Sequence, residues 1–369
     1  MYIHAQILIP APSGQYATHH SVLKLTDTSR ADPYDPLHGP RNVLISLFYP
    51  VSKQHCHSIC PSPYMTPVTA SLIDATVAEL GVPNGTFGAI RLQVCCGATS
   101  EAFKEVSKTP VILFSPGLGG TRLLYSALAQ SLAGTGYAVA TLDHVYEAQI
   151  VEYPDGTLVP SIDPNYFNSS IPGRLESALA VRVADAQFVL TQLGSKSVAQ
   201  ELLPGATCGF KKGNAGFYGH SFGGATAIST LMQDSRFAGA VNLDGAQYGP
   251  LEDTKKPALF FGRGDPSAHN RTNDATWANA WMHLKGWRRE VQLKGIEHLT
   301  FGDAPLLIEL TGLPVTDAVT SYIGSLDAGR SYEVITKVVQ KFFDGVFKGK
   351  KDNVFEGNST EYPELVMDW

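Results

Sequence analysis

The sequence predicts an α/β fold: a mostly parallel central sheet with helices on both faces and a lid-like insertion. Three observations predict it. From Thr109 onward, short apolar runs alternate with stretches of helical periodicity, the pattern of βαβ units. Runs such as Val111-Ile112-Leu113-Phe114 are apolar without a break, as in strands covered on both faces. A tight Gly-rich turn, Gly219-His220-Ser221-Phe222-Gly223, stands between one such run and a helical stretch.

Taken in order, residues 1–42 are rich in Pro, Gly and Asp and are expected to be an irregular entry segment. A strand over 43–49 follows, ended by Pro50. Residues 51–108 carry many turn residues and read as an insertion or cap region with a short helix over 70–80. The next units are a strand over 111–114, a helix over 123–133 closed by Gly134, and a strand over 137–142. Residues 144–173 lack periodicity, and a loop of that length inside a compact domain is usually functional, so this is a candidate lid. A helix over 174–193 has apolar residues at helical spacing. Strands over 216–219, 238–243, 257–262 and 289–293 then alternate with helices over 222–232 and 275–284, and a helix over 332–347 closes the chain. No repeat divides it, so one domain is expected over 1–369. In such sheets active groups collect at the carboxyl ends of the strands.

Composition narrows the function classes. Hydrophobic residues make up 44% and charged residues 17%, enough apolar surface for a large core. The net charge is −6, and the densest basic run is Lys348, Lys350 and Lys351, which argues against nucleic acid as a partner. No apolar stretch approaches the roughly 20 residues of a membrane span. The start, Met1-Tyr2-Ile3-His4, lacks the pattern of a signal peptide, and Ile7-Leu8-Ile9 stops at Pro10, which favours a cytoplasmic location. Glycosylation sequons at Asn84, Asn168, Asn270 and Asn358 pull toward a secreted alternative. An odd number of cysteines (Cys56, Cys60, Cys95, Cys96 and Cys208) leaves at least one unpaired within the chain. Cys56 and Cys60 neighbour His55 and His57, but the spacing fits no zinc pattern and reads as incidental loop chemistry. No metal or organic cofactor is expected, and oligomeric state is not fixed by the sequence.

The chemistry gathers around Ser221. Gly219-His220-Ser221-Phe222-Gly223 is a G-x-S-x-G motif between a strand and a helix, the context of a nucleophile elbow in the α/β-hydrolase fold. A serine nucleophile needs a base and an orienting carboxylate, in the chain order Ser, acid, His. His298 follows the strand over 289–293 and is the expected base; His269, in a polar loop, is the weaker rival, and His283 sits within a helix. Asp244 and Asp265 each follow a strand and both remain open as the acid, with position favouring Asp265 slightly. Two backbone N–H groups must hold the oxyanion. Phe222 should supply one, and Leu118, within Ser115-Pro116-Gly117-Leu118-Gly119-Gly120, the other. Tyr125, Tyr146, Trp281 and Leu299, with Phe222, are candidates for an apolar substrate pocket.

The stretch over 111–126, with Pro12-Ser13-Gly14-Gln15-Tyr16, Asp32-Pro33-Tyr34, the strand end over 46–50, Asp143-His144 and Glu152-Tyr153-Pro154-Asp155-Gly156, resembles the platelet-activating-factor acetylhydrolase-like family, plasma/lipoprotein type. The resemblance runs from about residue 9 to 345. It implies an α/β-hydrolase fold, hydrolysis of a small or short-acyl ester, Ser221 as nucleophile, His298 as base, Asp244 rather than Asp265 as acid, and Leu118 and Phe222 as oxyanion donors. Pro116 departs from the His usual there, and 51–108 does not match clearly. The alternatives are a natural-product hydrolase or acyltransferase with the same triad, or a non-catalytic ligand-binding relative.

Overall fold

A computed structural model describes residues 6–168, 170–357 and 359–368. The opening Met1–His4 segment and the sequon asparagine at 358 lie outside the described residues. Nine strands form the main sheet: β1 (Tyr16–Ala31), β2 (Pro40–Ser52), β3 (Val111–Ser115), β4 (Ala138–His144), β5 (Ala215–His220), β6 (Phe237–Leu243), β7 (Ala258–Arg263), β8 (Arg288–Leu293) and β9 (Leu365–Asp368). Their spatial order is β1-β2-β4-β3-β5-β6-β7-β8-β9. The pairings from β4 through β8 are parallel; β1 with β2, β2 with β4, and β8 with β9 are antiparallel.

The flanking helices are α1 (Ser126–Ala133), α2 (Arg174–Leu193), α3 (Phe222–Gln233), α4 (Ala275–His283) and α5 (Ala328–Lys348). Alternate strand residues feed two cores. Ile112, Phe114, Val241, Leu259 and Phe261 pack with α1 and α5 on one face. Val111, Leu113, Phe217, Ala240 and Phe260 pack with α2, α3 and α4 on the other. Each fully buried large apolar side chain contributes about 1.5–3 kcal/mol, so both faces of the parallel strands must be apolar, as the unbroken runs indicate.

Two expectations are corrected. Residues 16–31 are not irregular: they form the edge strand β1, whose Thr, His, Ser and Lys side chains are mostly half-buried and so hide the apolar alternation. β2 does not stop at Pro50 but runs to Ser52, with Pro50 opposite Thr18. Pairing of β2 with β4 ends at Phe48, so beyond it β2 has an open side where a residue without an N–H is tolerated.

The 51–108 segment builds a small sheet, Ile59–Pro63 against Ile90–Cys95 with Ile7–Leu8 alongside, and a helix, Pro67–Thr76. Disulfides Cys56–Cys95 and Cys60–Cys96 pin it, each with Cα atoms 5.8 Å apart, while Cys208 is free. Such bonds persist in oxidising compartments. Asn84 and Asn168 are exposed, whereas Asn270 is buried and poorly placed for a glycan. The 144–173 loop carries a short hairpin, Ile150–Glu152 against Leu158–Pro160, and touches the inserted helix where Val68 N donates to Glu152 Oε2 at 3.2 Å. Among the described residues no helix is long and apolar enough to cross a membrane.

Candidate active site

Ser221 sits between the end of β5 and the start of α3, with φ 55° and ψ −124°, a strained conformation for a residue with a side chain. The turn closes because its flanks are glycine. A Cβ on Gly219 would run into the carbonyls of Gly223 and Ser115, and one on Gly223 into the carbonyl of Ser115. Ser221 N donates to Leu243 O at 2.8 Å, which ties the turn to the end of β6.

Asp244 follows β6 directly, also at φ 55°, with its carboxylate buried. His298 Nδ1 donates to Asp244 Oδ2 at 2.6 Å, Arg263 Nε lies 2.8 Å from the same oxygen, and His269 Nδ1 is 2.7 Å from Oδ1. Burial pushes the Asp244 carboxyl up, but the hydrogen bonds and charges of His269 and His298 outweigh it and hold it well below the usual carboxylate range. His298 opens a short turn after β8, His298–Phe301, capped by Glu297 and Thr300. With Nδ1 engaged by the acid, Nε2 is the nitrogen left to accept a proton. Asp265 is exposed on the loop after β7, away from these bonds, and His283 pairs at the surface with Asp253 at 2.9 Å.

Ser221, Asp244 and His298 line one cleft of about 250 Å³, walled by Leu118, Leu175, Phe222, Ala246 and Tyr248, with Arg263 and His269 at its polar end. A larger cavity of about 410 Å³, beside Trp287, Arg289 and Lys341, contains none of the candidate catalytic residues.

The turn after β3 is held from behind by Arg182 of α2, a buried residue. Its guanidinium donates to Pro116 O at 2.6 Å and Gly117 O at 3.3 Å, pairs with Glu147 at 2.7 Å, and lies 4.8 Å from the Phe222 ring. A trans peptide points its N–H opposite to its carbonyl, so fixing Gly117 O turns the Leu118 N–H the other way. Phe222 is the first residue of α3, whose N–H has no partner within the helix. Behind Arg182, Ser115 Oγ pairs with His144 Nε2 at 2.9 Å, and His144 Nδ1 with Asp185 at 2.9 Å.

The expected pocket residues divide. Tyr125 is buried behind the turn, where its hydroxyl accepts from Gly117 N at 3.4 Å and pairs with His220 Nδ1 at 2.8 Å. His220 is neutral: burial and the neighbouring His298 push it down to about 3. Tyr146 packs in the apolar cluster behind Phe222 and Leu175, and Leu299 is exposed beside His298; neither lines the cleft. Trp281 lies on α4 between Arg271 and Arg288, packed on Phe260, so helix direction carries it away from the cleft. Leu175, Ala246 and Tyr248 form the wall instead. The sequence offers His269 only as a weaker rival for the base, and it gives no signal for Arg263 or Arg182, because their partners lie on other elements.

A family model described as platelet-activating factor acetylhydrolase, isoform II, matches residues 5–156 and 210–362, which includes the 51–108 segment left unmatched by the motifs. A protein of Arthroderma benhamiae named probable 1-alkyl-2-acetylglycerophosphocholine esterase is 32% identical, over 99% of this chain and 95% of its own length. A platelet-activating factor acetylhydrolase of Cavia porcellus is 27% identical, over 70% of this chain and 62% of its own. The solved structure of a ferulic acid esterase from Streptomyces cinnamoneus superposes with a TM-score of 0.80 at 28% identity, covering 99% of this chain and all of the other.

Proposed function

Because this chain belongs to the platelet-activating factor acetylhydrolase isoform II family and is a carboxylic ester hydrolase, we propose that it cleaves small or short-acyl esters through a Ser221-His298-Asp244 triad and an acyl-enzyme. The observation that carries this reading is the 2.6 Å bond between His298 and the buried Asp244 in the cleft that Ser221 lines.

Ser221 Oγ attacks the ester carbonyl while His298 Nε2 takes its proton. Asp244 fixes the imidazole tautomer and stabilises the imidazolium. The N–H groups of Leu118 and Phe222 hold the oxyanion, each contributing about 10²–10³ in rate. His298 then protonates the departing alcohol, and the same nitrogen activates water to release the acid. The 51–108 and 144–173 segments flank the oxyanion turn at Gly119 and Gly120, which supports a role for them as cover of the mouth.

A cleft of about 250 Å³ suits a short acyl group. A nitrophenyl ester series from acetate to decanoate should show kcat/KM falling with chain length, and 1-alkyl-2-acetylglycerophosphocholine should be hydrolysed at its acetyl ester. Activity that rises with chain length contradicts the reading. The likeness to a ferulic acid esterase over the whole chain favours a second reading, an aromatic acyl group stacked against Phe222 and Tyr248. Methyl ferulate hydrolysed faster than the short acyl esters would select it.

A further inference from the structure

We propose that His269 is a positioning residue for the triad, a charged clamp that holds the second oxygen of Asp244 and divides its negative charge. The proposal rests on the reading of Asp244 as the triad acid. His269 sits between two carboxylates: Nδ1 is 2.7 Å from Asp244 Oδ1, and Nε2 is 2.7 Å from Asp274 Oδ2. An ionised carboxylate only accepts hydrogen bonds, and a neutral imidazole has one N–H. Satisfying both partners therefore requires the imidazolium. Burial opposes that charge, but the bonds and charges of Asp244 and Asp274 overcome it, and the His269 pKa lies above the ordinary histidine value.

The surroundings fix the ring as well as its charge. It packs on Trp277 of α4, with centroids 4.3 Å apart, and Trp277 Nε1 donates to Gly245 O at 2.6 Å, gripping the peptide after Asp244. Asp274 caps α4 through Thr276 N at 2.7 Å, so the clamp is anchored to the helix start. The charged and titratable groups around it are Asp244 after β6, Asp274 at the head of α4, Arg263 at the end of β7 and His298 after β8. Glu297 is held to Arg263 at 3.3 Å.

The consequence concerns the base. Asp244 serves three cationic or proton-donating partners, so only part of its charge is available to a proton arriving on His298. Removing the positive charge of His269 makes Asp244 a stronger partner for the imidazolium. The base then stays protonated to higher pH, and the acid limb of the rate profile moves up. An added or removed charge at this range shifts a titration by about one unit or more.

The test compares the full-length protein with His269→Gln, Asp274→Asn and Asp244→Asn, following kcat and KM for nitrophenyl acetate from pH 5 to 9. Gln keeps an N–H donor for Asp244 but carries no charge. His269→Gln should move the acid limb of kcat/KM upward by about one pH unit and lower kcat more than it changes KM. Asp274→Asn removes the carboxylate that requires the second N–H, so it lets His269 become neutral without touching the triad, and it should shift the limb the same way by less. Unshifted limbs in both variants, with only a lower melting temperature, would overturn the proposal and leave His269 a packing residue. If His269→Gln does not fold, the Asp274→Asn limb decides. Asp244→Asn separates the two claims: retained activity in that variant sinks the triad reading itself, whatever the His269 profile shows.

Discussion

Ser221 is legible because its constraint is local: glycines two residues to either side, a strand before and a helix after. Arg182 is the opposite case. Its spacing on α2 marks a buried face, but only the folded chain brings it to Pro116, Gly117 and the Phe222 ring, and so to both arms of the proposed oxyanion site. Replacing it with Met should release the turn and lower kcat by about 10²–10³ with little change in KM. It should also leave Glu147 buried without its partner, a loss of about 3–5 kcal/mol in a urea unfolding curve. Arg182→Met with Glu147→Gln should recover stability but not kcat; recovery of both would reduce Arg182 to a structural ion pair. The same limit explains the misplaced aromatics. Nearness of Tyr125 and Trp281 to motifs along the chain says nothing of the direction in which a helix or turn points them.

At the level of elements, buried parallel strands and amphipathic helices were readable within a few residues, since each must match a two-sided apolar environment. Edge elements were not: β1 and β9 each have one partner strand, β1 carries polar side chains, and β9 is only four residues long. The connection from the His298 turn to α1 also depends on a contact invisible in sequence. Asp303, buried just after that turn, accepts from Ala127 N at 2.8 Å, Leu128 N at 3.0 Å and Tyr64 Oη at 2.9 Å. Burial lifts its carboxyl to about 7, against the lowering effect of those donors. The folded value then exceeds the unfolded one of 3.8. Stability from this group is therefore complete below pH 4, declines as pH rises toward 7 and levels off above. Asp303→Asn should flatten that slope in unfolding free energies measured from pH 4 to 8; an unchanged slope would assign it to other groups.

For the molecule as a whole, the fold class followed from the strand–helix alternation, while the disulfide pairing did not follow from five cysteines, because pairing depends on which strands meet. Cys95 and Cys96 take partners from the segment before them, and each closes a loop of about 40 residues that chain entropy values at about 4 kcal/mol, less for the second of two overlapping loops. The same dependence on tertiary meeting governs the site. Ser221 after β5, Asp244 after β6 and His298 after β8 are brought to one cleft by the parallel order of those strands. The direct measurement is fluorophosphonate labelling of the intact protein with the adduct mapped by mass spectrometry. A single adduct on Ser221, absent in Ser221→Ala and formed orders of magnitude more slowly in His298→Ala, is the predicted result. An adduct elsewhere, or undiminished ester hydrolysis by Ser221→Ala, would contradict it.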